Sequence, residues 1–188
     1  MRWRAAFEPI LGSADPARLE PFLQDVIEAE SNALCTPSGF DDALTRVLFK
    51  WHRTEHLAEV LRVMNAIENY DDVMRVVQRL QLAGVRCHIA SNQQAGRARH
   101  MSEVLNYRSL FNGEFYSCFL GVAKPDIAFF ERVLDALDLR GCEVLFLDDR
   151  PGNVEAARRA GLTAALYAGE SGGETLHAVL SENGLRFS

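Results

Sequence analysis

The chain has 188 residues, enough for one ordinary domain or for one core with a small attached unit, and it can bury a substantial interior. Its 48% hydrophobic and 24% charged residues describe a globular protein, and no run approaches the roughly 18 consecutive apolar residues of a membrane span. A formal net charge of -6, with the basic residues scattered, argues against a nucleic-acid surface and favours a small-molecule partner.

The opening segment MRWRAAFEPILG has an apolar run broken by Glu8 and Pro9, so it does not read as a secretory signal, and the cytoplasm is the expected compartment. Asp15 followed by Pro16 is an N-cap with proline at the first helical position. Leu19, Phe22, Leu23, Val26 and Ile27 then recur at helical spacing and predict a helix to about Ala33. A second helix is expected near Asp41 to Trp51 and a third near Glu55 to Ile67, each with an apolar stripe, so residues 1–69 read as a small helical bundle.

From Tyr70 the pattern alternates between helix and strand. A helix carrying Val73, Val76, Val77 and Leu80 ends at Gly84 and leads into the apolar run Val85 to Ala90. Then come a helix from about Gln93 to Leu105, a strand near Glu114 to Cys118, a helix from Asp126 to Leu137 and a strand from Glu143 to Leu147. A helix from Pro151 to Ala160, a strand from Thr163 to Ala168, a flexible loop Gly169 to Gly173 and a last helix from Glu174 to Glu182 complete the chain. Such alternation predicts an α/β fold over residues 70–188, a Rossmann-like parallel sheet with helices on both faces. The four cysteines show no CxxC spacing; Cys87 and Cys142 lie in or beside apolar strand-like runs, and all four are expected to be reduced and structural.

In parallel α/β sheets functional groups collect at the C-terminal ends of strands, beside helix N-termini with unpaired N–H groups. The first such end offers Ser91 and Asn92, which could hold an oxyanion or could cap the following helix, as these residues often do. A later end offers Asp148 and Asp149 side by side. Their mutual repulsion is relieved by a hard cation such as Mg2+, whereas helix capping accounts for only one of the two. Between them Lys124 stands in Gly121-Val122-Ala123-Lys124-Pro125-Asp126, either a solvated surface charge or a fixed cation that screens an acidic site from a bound phosphate.

The order strand then Ser-Asn, loop then Gly-x-x-Lys-Pro-Asp, strand then Asp-Asp-x-x-x-Asn-Val resembles motifs II, III and IV of the haloacid dehalogenase (HAD) superfamily, in its small-helical-cap, phosphatase-like form. The resemblance covers about Tyr70 to Ala168, and the helical first 69 residues look like the cap of those enzymes. It implies that Ser91 and Asn92 bind the transferring phosphoryl group, that Lys124 neutralises nucleophile and phosphate, and that Asp148 and Asp149 hold Mg2+ directly or through water. The substrate implied is a small phosphorylated metabolite. The departure is that the family's nucleophile, the first Asp of an Asp-x-Asp motif ending an N-terminal apolar strand, has no counterpart: Glu8 and Asp15 sit in a helix-forming context. The chain as written is therefore expected to keep a binding site without its attacking group.

Two further readings stand beside this one, a non-catalytic binding protein and a metal-free 2-haloacid dehalogenase; the second would not need the Asp148-Asp149 pair. His52 and His56, spaced one helical turn apart, read as a solvated helix face rather than a metal site, because no third ligand is evident. The family sheet also predicts that the strand ending at Ala90 and the strand ending at Leu147 are not neighbours. Between them one expects an open slot, a foreign segment, or a closed and distorted sheet.

Overall fold

A computed structural model of the chain describes residues 3–185, which form two compact units. The first unit runs up to Ile67 and takes in two later segments, Asn92–Asn106 and Tyr116–Gly121. The second comprises Glu68–Ser91, Tyr107–Phe115 and the chain from Val122 onward.

The first unit begins with helices α1 (Trp3–Leu11), α2 (Pro16–Asn32), α3 (Phe40–Lys50) and α4 (Leu57–Met64). Asp15 caps α2 as its sequence requires, accepting the Ala17 N–H at 3.0 Å, with Pro16 at the first position. The apolar stripes close on one another: Phe7 and Ile10 of α1, Phe22 of α2, Leu44 and Leu48 of α3 and Met64 of α4 have no exposed surface. Each such side chain contributes about 1.5–3 kcal/mol relative to exposure, which makes a stable bundle of helices that would be marginal alone. Glu8 lies inside α1, so Trp3–Leu11 is helical where a strand would be needed. The third expected helix divides into a 3-10 turn at Thr54–His56 and α4. His52 sits at a left-handed φ of 54° between α3 and that turn, and His56 Nδ1 contacts Glu59 at 2.9 Å, so the two histidines share no helix face.

In the second unit, α5 (Asp71–Leu82) and α11 (Gly172–Glu182) pack through Val76, Leu80, Leu176 and Leu180. Asp72 Oδ2 accepts the Gly173 N–H at 2.6 Å, and a Cβ on Gly173 would stand 2.8 Å from the Asp72 carbonyl oxygen, so this close approach requires glycine. The expected flexible loop before α11 is a 3-10 turn, Gly169–Ser171, with α11 starting at once. The strands are β1 (His88–Ser91), β2 (Gly113–Tyr116), β3 (Leu145–Asp148) and β4 (Thr163–Leu166). Short helices α6 (Ala95–Arg99), α7 (Tyr107–Leu110) and α8 (Ser117–Leu120), then α9 (Ile127–Leu137) and α10 (Pro151–Arg159), complete the order.

Strand β3 pairs with β4 in parallel, Leu145 opposite Thr163 through Asp148 opposite Leu166, and β1 pairs with β2. The expected single sheet is thus two two-stranded sheets, and β1 and β3 share no hydrogen-bonded ladder. The cost of leaving one side of β1 without a strand ladder is limited because the Ala90 carbonyl accepts Lys124 Nζ at 2.8 Å and every β1 residue is only half-buried, within reach of water.

β1 is shorter than its apolar run because the run's first residues are used elsewhere. Val85 N–H closes α5 on Leu80 O at 3.0 Å beyond the left-handed Gly84, and Cys87 N–H is taken by Asn112 Oδ1 at 2.8 Å. The helix expected over residues 93–105 is α6 continued by a π-turn at His100–Val104. All four cysteines are free thiols; Cys118 is buried and Cys87 half-buried, but Cys142 is exposed in a 3-10 turn and Cys35 is exposed, so these two do not serve as small hydrophobes.

Candidate active site

Strand β3 alternates half-buried Leu145 and Leu147 with buried Phe146 and Asp148, so the carboxylate shares a face with an aromatic ring. Past the strand end the chain turns tightly, Asp148 Oδ1 accepting the Arg150 N–H at 2.9 Å. α10 then starts at Pro151, and its first turn returns buried Asn153, whose Nδ2 donates to the same Oδ1 at 2.9 Å. The other oxygen, Oδ2, accepts Lys124 Nζ at 2.6 Å.

Lys124 is placed by a turn in which the Asp126 N–H closes on Ala123 O at 3.0 Å, and Asp126 at once caps α9 through the Ala128 N–H at 2.9 Å. Its ammonium also donates to Ala90 O at 2.8 Å, the carbonyl just before Ser91 at the end of β1. One nitrogen thus ties the ends of β1 and β3, and both charged side chains are 7% exposed. A lysine so placed is not a solvated surface charge. Burial alone would raise the Asp148 carboxyl, but the hydrogen bond and charge of Lys124, with the Arg150 N–H and the Asn153 amide, hold it below the ordinary carboxylate value.

These contacts revise the electrostatic case for a metal. The two adjacent carboxylates need no divalent cation to relieve them, since Lys124 already supplies the countercharge and both Asp148 oxygens are engaged by the protein. Asp149 is exposed beside them, and among the described residues no group of three His, Cys, Asp or Glu side chains forms a metal cluster. Mg2+ keeps several waters and takes only one or two carboxylates when a substrate phosphate completes its shell, so Asp149 with Asp148 behind it fits that ion as a partial site.

Capping does not account for Ser91 or Asn92, because the cap of α6 is Gln94: its buried Oε1 accepts from Gly96 and Arg97 N–H at 2.6 and 3.1 Å. Ser91 closes β1 in the second unit, next to the carbonyl that Lys124 holds. Asn92 opens a segment of the first unit. The structure therefore joins Lys124 to Asp148 directly, with Asp149 and Ser91 one residue from atoms in that contact. Asn153 was present in the motif but unassigned; its signal was a polar residue five positions after Asp148, on the first buried face of the next helix.

A family model of haloacid dehalogenase-like hydrolases matches residues 20–161, three quarters of the chain, and that span includes Ser91, Asn92, Lys124, Asp148, Asp149 and Asn153. The chain belongs to that family. Among HAD relatives, a sesquiterpene phosphatase of Aspergillus oryzae is 33% identical over 46% of this chain and 44% of its own length. A flavin mononucleotide hydrolase of Arabidopsis thaliana is 30% identical over 47% of this chain and 35% of its own. The chain thus matches less than half the length of these curated relatives. A solved HAD-like hydrolase of Porphyromonas gingivalis superposes with a TM-score of 0.72 at 17% identity, covering 97% of this chain and 89% of the other. A HAD enzyme of Bacteroides thetaiotaomicron, solved with magnesium and inorganic phosphate, gives 0.68 at 16% identity over 89% and 87%. At such identities these two establish the α/β fold. No helix among the described residues is long and apolar enough to cross a membrane.

Proposed function

We propose that the ends of β1 and β3 form the phosphate-binding part of a magnesium-dependent phosphohydrolase acting on a small phosphorylated metabolite, with the helical first unit in the role of the cap. The observation that carries the reading is the buried Lys124–Asp148 pair, tied to the β1 terminus beside Ser91. In this reading Lys124 neutralises incoming phosphate charge, the Ser91 hydroxyl donates to a phosphoryl oxygen and Asn92 assists. Asp148 holds the ammonium in place through the hydrogen bonds that fix its own carboxylate. Asp149 would hold Mg2+, with Asp148 behind it; when bound, that ion supplies Lewis-acid charge at a phosphoryl oxygen. The relatives named as a phosphatase and a flavin mononucleotide hydrolase support phosphate-ester chemistry, and the neighbour solved with magnesium and phosphate supports the ion.

Covalent phosphoryl transfer needs a carboxylate nucleophile against the phosphate. Among the described residues no third carboxylate joins Asp148 and Asp149 in a cluster, so the 188-residue chain is expected to bind phosphate and magnesium together without turnover. The test is titration calorimetry of inorganic phosphate with and without Mg2+, run beside a p-nitrophenyl phosphate assay. Expected are magnesium-dependent phosphate binding, its loss in Asp149→Asn, and no turnover by the 188-residue chain. Phosphate binding indifferent to Mg2+ and to Asp149 would overturn the magnesium reading in favour of a metal-free site. Magnesium-dependent turnover by the chain alone would overturn the claim that it lacks a nucleophile.

A further inference from the structure

Two of the four free thiols, Cys35 and Cys118, belong to the first unit and differ in exposure. Cys35 lies exposed in the irregular segment 33–39 between α2 and α3, whereas Cys118 is the second residue of α8 and is 1% exposed. Arg99 connects their surroundings. It ends α6, which packs against α8, and its Nη2 donates at 3.4 Å to Pro37 O, two residues beyond Cys35. Burial pushes the Cys118 thiol up, and the charges of Arg99 and Cys35 both act on it, an influence that fades beyond about 10 Å.

The segment carrying Cys35 is held loosely. Leu34 N–H meets Ser31 O at 3.3 Å and Thr36 N–H meets Ala33 O at 3.4 Å, both longer than the usual distance of about 2.9–3.0 Å. The bond from Arg99 is as long. A disulfide needs its two Cα atoms about 4.4–6.8 Å apart. A segment outside regular structure and held by weak bonds can close to that distance while α2 and α3 keep their place.

Cys118 also stands beside part of the candidate site. Its neighbour Ser117 has no exposed surface, and the Ser117 hydroxyl accepts the Gln93 N–H at 3.1 Å and donates to Gln93 O at 3.4 Å. Gln93 follows Asn92, so the position of α8 fixes the backbone that presents Asn92.

We propose that Cys35 and Cys118 are a redox pair: a peroxide links them in a disulfide that ties the α2–α3 segment to α8 and, through Ser117 and Gln93, displaces Asn92. The effect on phosphate binding rests on the phosphatase reading; the disulfide itself does not. Hydrogen peroxide oxidises the exposed Cys35 thiol to a sulfenic acid and releases one water. The Cys118 sulfur then attacks the Cys35 sulfur, and the sulfenic hydroxyl leaves with the Cys118 proton as a second water. Two thiols and one peroxide become one disulfide and two waters.

The full chain is treated with hydrogen peroxide, its remaining thiols are blocked with N-ethylmaleimide, and it is digested without reductant for mass spectrometry. Expected are a peptide cross-linked through Cys35 and Cys118, and its loss in Cys35→Ser, an exposed position where the substitution leaves the fold intact. Cys118 recovered blocked, while Cys35 is overoxidised or joined to a second chain, overturns the proposal. The link to the site is read by titrating inorganic phosphate with Mg2+ into the reduced and the oxidised chain. One hydrogen bond to a charged group corresponds to about tenfold in affinity, so the oxidised chain should bind about tenfold more weakly, and peroxide should leave the affinity of Cys35→Ser unchanged. Equal affinity in the two forms overturns the link through Ser117. If the reduced chain binds no phosphate, the phosphatase reading falls and the link falls with it, while the cross-linked peptide still decides the redox pair.

Discussion

Replacing Lys124 with methionine keeps an unbranched apolar stem, one atom shorter, and removes the charge together with its hydrogen bonds to Asp148 and Ala90. Asp148 is then a carboxylate with 7% of its side chain exposed, keeping the Arg150 and Asn153 donors on Oδ1 and losing its partner on Oδ2. Removing one member of a buried ion pair costs about 3–5 kcal/mol, because the remaining charge is left uncompensated. The chain could instead protonate Asp148, but holding an ordinary carboxyl neutral at pH 7 costs roughly 4 kcal/mol, so both routes give the same size of loss. For a protein of this length that is a fall in Tm of about 6–20 °C. Thermal and urea unfolding followed by far-UV circular dichroism measure it.

The pH dependence and a double mutant make this specific. The folded Asp148 carboxyl lies below its ordinary value of 3.8, so its contribution is full above that value and is lost as pH falls through the lower folded value. Lys124→Met reverses this by pushing the carboxyl up, so the penalty of the variant should shrink as pH falls from 7 toward 4.5. Lys124→Met combined with Asp148→Asn should recover most of the stability, since no buried charge remains. A single variant within about 0.5 kcal/mol of the parent, the range of ordinary surface substitutions, or a double variant no better than the single one, would refute the reasoning.

Asn153→Ala removes one donor from a buried carboxylate and should cost about 1.5–3 kcal/mol by urea denaturation, less than loss of Lys124. Gly141→Ala should destabilise by about 3 kcal/mol or more and depress soluble yield, because its Cβ would stand 2.4 Å from the backbone oxygen of Gly161, which cannot give way as a side-chain tip can. Burial, helped by the charge of Arg86, lowers the His88 imidazole, so the fold is favoured above the ordinary value of 6.5 and loses stability as pH drops below it; His88→Gln should flatten the slope of Tm between pH 7 and 5.

The apolar periodicities of α2, α3 and α5, the expected helix Asp126 to Leu137 and the capping signal Asp15-Pro16 are local, and local chemistry alone sufficed to place those elements within a residue or two. The family motif was legible for the same reason: Ser91, Lys124, Asp148 and Asp149 are read by residue type, order and adjacency to strand ends. What the sequence could not decide is what depends on contacts between distant segments. The length of β1 was settled by Asn112, 25 positions after Cys87, and the division into two small sheets by which strand edges meet. Sequence treated Asp148 and Asp149 as equivalent repelling neighbours. Only the tertiary structure told them apart, because β3 turns one inward onto Lys124, 24 positions earlier, and leaves the other in water. A hydrogen bond's energy depends on distance and burial, and neither is written in the order of residues until the chain has folded.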